Sequence, residues 1–300
     1  MQLKDFQYCR HDKIVLTACF EIVAASASPL NEAARGLVRF YEEFMNRFRS
    51  VLTTYSTGTM TLPRKPTPKT FQMVPAWLSE PRNLARGRFA MVFHSGPTVA
   101  ERIPPALCLV FENGNSYMAA VLPPDFATER SEPALDFVRA AIGDVFALSA
   151  GWGGYAIAFN ENRGPLNPEA EQKLRAWLER HPGLGHGENF SIYERALRGI
   201  SSVNWLTLLG YELVERKGGR EALETALAAL SPEIVVHPLG KGVCIQAGPL
   251  PQIGDVNRGE NIPIYHKVGR YLKDLRSTEP PTMLDGLLDH TEEWYARFDD

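Results

Sequence analysis

Three hundred residues with 44% hydrophobic and 22% charged side chains make an ordinary globular composition, enough for one large domain or two modest ones, and exclude general disorder. A formal charge of −3 supplies no overall basic field, so the electrostatic signature of a nucleic-acid binder is missing at chain level. The charge is still polarised: residues 1–90 carry about 13 Lys and Arg against about 7 Asp and Glu, and residues 274–300 about 2 against about 8.

Lys13 to Ala25 is rich in β-branched and apolar residues and predicts a core strand. Its run Ile14 to Pro29 has the outline of a signal peptide, but Glu21 in the middle of so short an apolar stretch argues against that reading. No run reaches the roughly 20 apolar residues a membrane span needs. Pro29 and Asn31 mark a helix start, and Leu37, Phe40, Tyr41, Phe44 and Phe48 recur at helical spacing to about Leu52. Thr53 to Pro75, with TLPRKPTPKT, predicts a long basic surface loop. Arg88 to Ser95 is a strand, and Ala106–Glu112 and Ser116–Leu122 flank Asn113-Gly114, a hairpin signal.

Pro133 opens a helix to about Ser149, with Val145 and Phe146 on its apolar face, and Gly151 to Asn160 is the next strand. Helices follow over Pro168–Arg180, Val203–Glu215 and Arg220–Leu230, the last two separated by Gly218-Gly219. Ile234–His237 and Gly242–Ala247 form a short hairpin, and helices over Pro263–Leu275 and Met283–Phe298 close the chain. This order does not alternate strand and helix strictly. It predicts an α+β fold with mixed or antiparallel sheets flanked by helices. The expected units are an N-terminal subdomain over 1–130, a second over 131–276 and an acidic C-terminal helix over 277–300, packed together. Two similar subdomains fit the order, although no self-similar sequence marks a repeat.

Motifs that carry chemistry are scarce. Gly151-Trp152-Gly153-Gly154 precedes a strand instead of opening a helix and lacks the Lys-Ser/Thr of a phosphate loop, so it reads as a close backbone approach or bulge. His181 and His186 are five residues apart across Pro182 and Gly183, not the four of a helical zinc pair, and the other histidines are scattered. Cys19, Cys108 and Cys244 lie in apolar runs and behave as small hydrophobes, and with Cys9 they form no C-x-x-C pair. The basic stretch through Arg64, Lys65, Lys69, Arg82, Arg86 and Arg88 is broken by prolines and reads as a solvated surface. No catalytic residue, metal ligand or cofactor follows from these patterns.

The most distinctive sequence is GISSVNWLTLLGYELVERKGG, then VCIQAGPLPQIGDVNRGENIPIYHKVGRYLKDLR, with GWGGYAIAF upstream. Together these resemble the type VI secretion immunity proteins, from the first strand to Arg276, while the 277–300 tail matches nothing. The motif residues Trp152, Asn204, Trp205, Gly248, Pro249, Gly254, Asp255 and Asn257 read as scaffold: Gly-Pro exits from a strand, a capping carboxylate, a core tryptophan on an apolar helix face.

The resemblance implies a cytoplasmic protein, a monomer or small homo-oligomer, that binds and blocks a cognate toxin effector without catalysis, cofactor, membrane or direct nucleic-acid contact. It also implies a nuclease as effector class. Asp285, Asp289, Glu292 and Glu293 share one face of the last predicted helix and are the candidate effector contacts, since an acidic face suits a nuclease. The competing expectation is a hydrolase or toxin-modifying enzyme with a site near GWGGY that uses His94, His237 or His266. A structural component of the secretion machinery is the third reading.

Overall fold

The computed structural model describes residues 3–86, 88–96, 103–112, 114–143, 147–159, 167–186, 195–278 and 291–300. The first half contains β1 (Gln7–Arg10), β2 (Lys13–Ser26), α1 (Leu30–Phe48), β3 (Thr54–Thr57), α2 (Met73–Ser79), α3 (Pro81–Arg86), β4 (Arg88–His94), β5 (Ala106–Glu112), β6 (Asn115–Leu122) and α4 (Glu132–Ala141). The second contains β7 (Ala150–Phe159), α5 (Pro168–Arg180), β8 (Gly185–His186), β9 (Leu206–Leu209), α6 (Tyr211–Arg216), α7 (Arg220–Leu230), β10 (Ile234–Leu239), β11 (Gly242–Ala247), α8 (Pro263–Leu272) and α9 (Thr291–Tyr295).

All the described strands join one sheet, in the order β10-β11-β9-β7-β2-β6-β5-β4-β3, with β1 added to β2 and β8 to β7. Among the described strand pairs, only the short β7–β8 pairing is parallel. With helices packed on this sheet, the α+β expectation is met. The axis is β2, whose sequence KIVLTACFEIVAAS is almost wholly apolar or small, as a strand covered on both faces requires. It pairs β7 from Leu16↔Phe159 to Ala25↔Ala150, and β6 from Phe20↔Leu122 to Ser26↔Ser116.

The register puts Ile22, Ala120, Leu107 and Phe93 in one cross-strand row, and α1 lies over this face. Tyr41 and Phe71 meet the Phe93 ring at 6.0 and 5.8 Å, and Phe40 of α1 meets Phe137 of α4 at 5.5 Å. Pro29 gives α1 no side-chain cap, a deficit of about 1 kcal/mol. Each buried aromatic contributes roughly 1.5–3 kcal/mol, so packing outweighs the missing cap.

Both sheet edges are blunted. Tyr55 of β3 exchanges two 2.8 Å backbone hydrogen bonds with Arg64, and β10 carries Pro238, which has no N–H to offer a further strand.

Four sequence expectations are corrected. Val203–Glu215 is not one helix: Leu206–Leu209 is a strand between β11 and β7, and only Tyr211–Arg216 is helical. A four-residue apolar run satisfies either period, and here the neighbouring strands decide. Gly210 separates the two, because a Cβ there would lie 1.9 Å from the Leu148 carbonyl oxygen. The predicted loop Thr53–Pro75 contains β3 and the start of α2, held by the Tyr55–Arg64 bridge. A helix over Pro133–Ser149 stops at Ala141, and Val145 and Phe146 lie outside the described residues. Of the helix over Met283–Phe298, only Thr291–Tyr295 falls within the described helical residues.

Candidate functional site

The glycines of GWGGY make room for a neighbour. At Gly154 a Cβ would lie 2.0 Å from Asn204 Oδ1, so the Asn204 side chain occupies the space a larger residue would fill. Asn204 Oδ1 accepts the Trp205 N–H at 2.9 Å, and Trp205 Nε1 donates to the Gly248 carbonyl at 2.9 Å. Gly248 stands at φ +92°, the left-handed region that favours glycine, and Gln246 Nε2 donates to its carbonyl as well, at 3.0 Å. Trp205 is fully buried, with its ring edge-on to Phe20 at 5.8 Å. It belongs to the sheet core and not to the helix face expected for it.

Asp255 accepts the Asn257 N–H at 3.1 Å, the cap its Gly254-Asp255 turn suggests, and also a fork from Arg180, with Nε and Nη2 at 2.8 and 2.7 Å. That fork draws its carboxyl down to about 2. The Arg180 contact, formed across the fold, has no local signal in the sequence.

The C-terminal segment is locked to the body by three arginines. Arg195 donates to Glu292 at 2.9 Å and lies 4.6 Å from the Tyr295 ring centre. Arg276 forks onto Asp299 and gives Nη1 to the carbonyls of Ser201 and Tyr295, both at 2.8 Å. Arg297 donates to Pro182 O at 2.6 Å and Ser202 Oγ at 2.9 Å and stacks on Trp294 at 3.9 Å; burial pushes it down to about 9. A cavity of about 30 Å3 beside it is lined by Trp152, His186, Asn204 and Trp294. Burial brings His186 down to about 3, and its Nε2 is 3.1 Å from the Tyr295 hydroxyl.

Of the candidate effector contacts, Asp285 and Asp289 lie outside the described residues. Glu293 is exposed, and Glu292 is 61% exposed while it pairs with Arg195. The histidines of the enzyme reading do not converge. His94 on β4 and His237 on β10 lie seven strand spacings apart, roughly 34 Å, and His266 on α8 contacts the Asp300 carbonyl at 3.2 Å. Among the described residues no group of three or more His, Cys, Asp or Glu is placed to hold a metal ion.

A cleft of about 780 Å3 lies at one end of the sheet. Its walls come from the exit of β2, the entry to β7, the β9–α6 junction and the β10–β11 turn. Gly210 and Gly242 lie so close to the Leu148 and Leu209 carbonyls that backbone forms part of the floor. Its exposed side chains include Tyr211, Arg216, Lys241, Glu32, Glu212 and Arg198, with Ala27 on the wall. Nothing in the sequence marks this place, because its lining is drawn from separate segments without a motif.

The family model described as type VI immunity for VRR-NUC, TsiV, matches residues 107–298. The chain belongs to the TsiV family. The match runs from β5 to Phe298, so it includes most of the tail that the sequence reading left unmatched beyond Arg276. Among solved structures, the Pseudomonas aeruginosa T6SS protein PA0821 is similar at 18% identity with a TM-score of 0.76, over 98% of this chain and 88% of that one. At that identity the likeness is one of fold. No curated protein matches the chain. The residues Trp152, Asn204, Trp205, Gly248, Pro249, Gly254, Asp255 and Asn257 all lie within the matched range. No helix among the described residues is long and apolar enough to cross a membrane.

Proposed function

We propose that this TsiV protein binds a cognate type VI effector of the VRR-NUC nuclease class and neutralises it as a stoichiometric complex, without catalysis. The observation that carries this reading is the family match over residues 107–298. Two features support it. The histidines that an enzyme would need lie on separate elements, and Asn204, Trp205 and the Gly248 carbonyl are committed to hydrogen bonds within the core. Inhibition by binding needs only a preformed, complementary surface. A nuclease threatens DNA, so the producing cell's cytoplasm is where the complex forms.

The test is reconstitution. A cognate VRR-NUC effector is purified, and its cleavage of duplex DNA is followed with increasing amounts of this protein. Cleavage should fall to zero at a fixed molar ratio, and the two proteins should co-elute. Undiminished cleavage with no co-elution would overturn the reading.

A further inference from the structure

We propose that the cleft at the sheet end is where the effector docks, and that it receives a carboxylate-bearing segment of the nuclease. The proposal rests on the nuclease-binding reading above and adds a surface and a partner chemistry to it.

Among the described residues, the cations Arg198, Arg216 and Lys241 border the cleft with the carboxylates Glu32 and Glu212, and Arg216 also donates to the Asp274 carbonyl at 2.7 Å. Lys241 is exposed at the β10–β11 turn, where it can meet a carboxylate of a partner. A nuclease that cleaves phosphodiesters with bound divalent metal must gather carboxylates at its centre, which makes an acidic loop the complementary occupant. Charge-assisted contacts from Arg and Lys to such a loop are the strong class of polar contact.

The cleft also has the features of a rigid receptor. Its floor is close-packed backbone at Gly210 and Gly242, anchored where β9 and β11 pair, so little ordering cost falls on binding. Tyr211 supplies an aromatic anchor. It is 51% exposed, with the Lys241 ammonium 5.6 Å from its ring centre, and no other aromatic ranks with it among the exposed large hydrophobic side chains described. Tyrosine and arginine are the residue types that most often dominate binding energy. A volume of about 780 Å3 suits a loop.

The experiment measures the affinity of the purified full-length effector for wild type and four variants by titration calorimetry at two salt concentrations. Tyr211→Ala should weaken binding about 30-fold or more. Lys241→Glu should weaken it about tenfold and flatten the salt dependence. Ala27→Trp, at an exposed wall position, fills the cleft without changing charge and should weaken binding comparably. Glu293→Lys, on the C-terminal segment, should bind like wild type. Thermal unfolding of each variant separates misfolding from lost contact, and the three cleft variants fail independently of one another.

The outcomes are distinguishable. If wild type does not bind the effector, the nuclease-binding reading fails. If wild type binds and folded cleft variants match it in affinity and salt dependence, only the cleft assignment is overturned. Loss confined to Glu293→Lys overturns it in favour of the acidic C-terminal face.

Discussion

The wall built by Gly154, Asn204, Trp205 and Gly248 and the cleft bordered by Tyr211, Lys241 and Arg216 share strand β9 and the residues just beside it, yet they differ in almost every physical respect. In the wall, Asn204 Oδ1 and Trp205 Nε1 are used internally and Trp205 has no exposed surface. In the cleft, glycine backbone sets the floor while long polar side chains face outward. A substitution in the wall disturbs folding, whereas one in the cleft changes what the surface can meet. The wall residues therefore sit where tolerance of substitution is lowest, and the cleft residues a few positions away are free of that constraint.

The sharpest way to probe this contrast is to attack the wall. Trp205→Ala should destabilise the protein by about 3–5 kcal/mol in chemical denaturation, the range for removing a buried tryptophan. A loss near 1 kcal/mol would mean that the wall is not the stability centre. Gly154→Ala should cost about 2–3 kcal/mol, because its methyl group needs the space of Asn204 and displaces a buried polar group. If that variant unfolds like wild type, the close approach of Asn204 is wrong.

The lock on the C-terminal segment should come next. Arg276→Met leaves Asp299 and two carbonyls without their donor and should cost about 2 kcal/mol in the same assay, with faster proteolysis of the last residues. An unchanged digestion pattern would count against the lock.

Acid should then discriminate the Asp255 turn. Its folded carboxyl is drawn below the unfolded value near 3.9, so the stability it contributes is fully present above that value and is lost as pH falls toward about 2. Asp255→Asn should therefore be less stable than wild type at neutral pH, with the gap narrowing between about pH 4 and about pH 2. A gap that stays constant across that window would remove Arg180 as its cause. The smallest expected effect lies in the cleft, where Tyr211→Ala and Lys241→Glu should change stability by no more than about 0.5 kcal/mol. A larger loss would mean that the cleft is also structural.

How much of this was legible in the sequence follows from the range of each signal. Pro168–Arg180 and Arg220–Leu230 were read at their observed bounds because their punctuation is local: a proline at the first helical position, a His-Pro-Gly stop, a Gly-Gly break. The turn between β5 and β6 was legible for the same reason: Glu112 pairs with Asn115, and Gly114 stands at φ +83°. Leu206–Leu209 was not, since four apolar residues carry no period of their own and only β7 and β11 make them a strand. The pairs Arg180–Asp255 and Arg276–Asp299 and the lining of the cleft join segments far apart in the chain, and no local pattern announces them. The motif glycines were legible as scaffold, but the reason, an asparagine side chain parked where a Cβ would be, required the fold.

The position of β2 at the centre of the sheet has a kinetic consequence. This strand is made early, and its neighbours arrive late: Ser26 pairs with Ser116, and Ala25 with Ala150. At the usual pace of translation, about 5–20 residues per second, roughly 6–25 s separate the emergence of β2 from that of β7. During that interval β2 lacks its β7 partner, and closure is a slow, non-local step. The order in which the strands leave the ribosome therefore limits how soon the sheet can close.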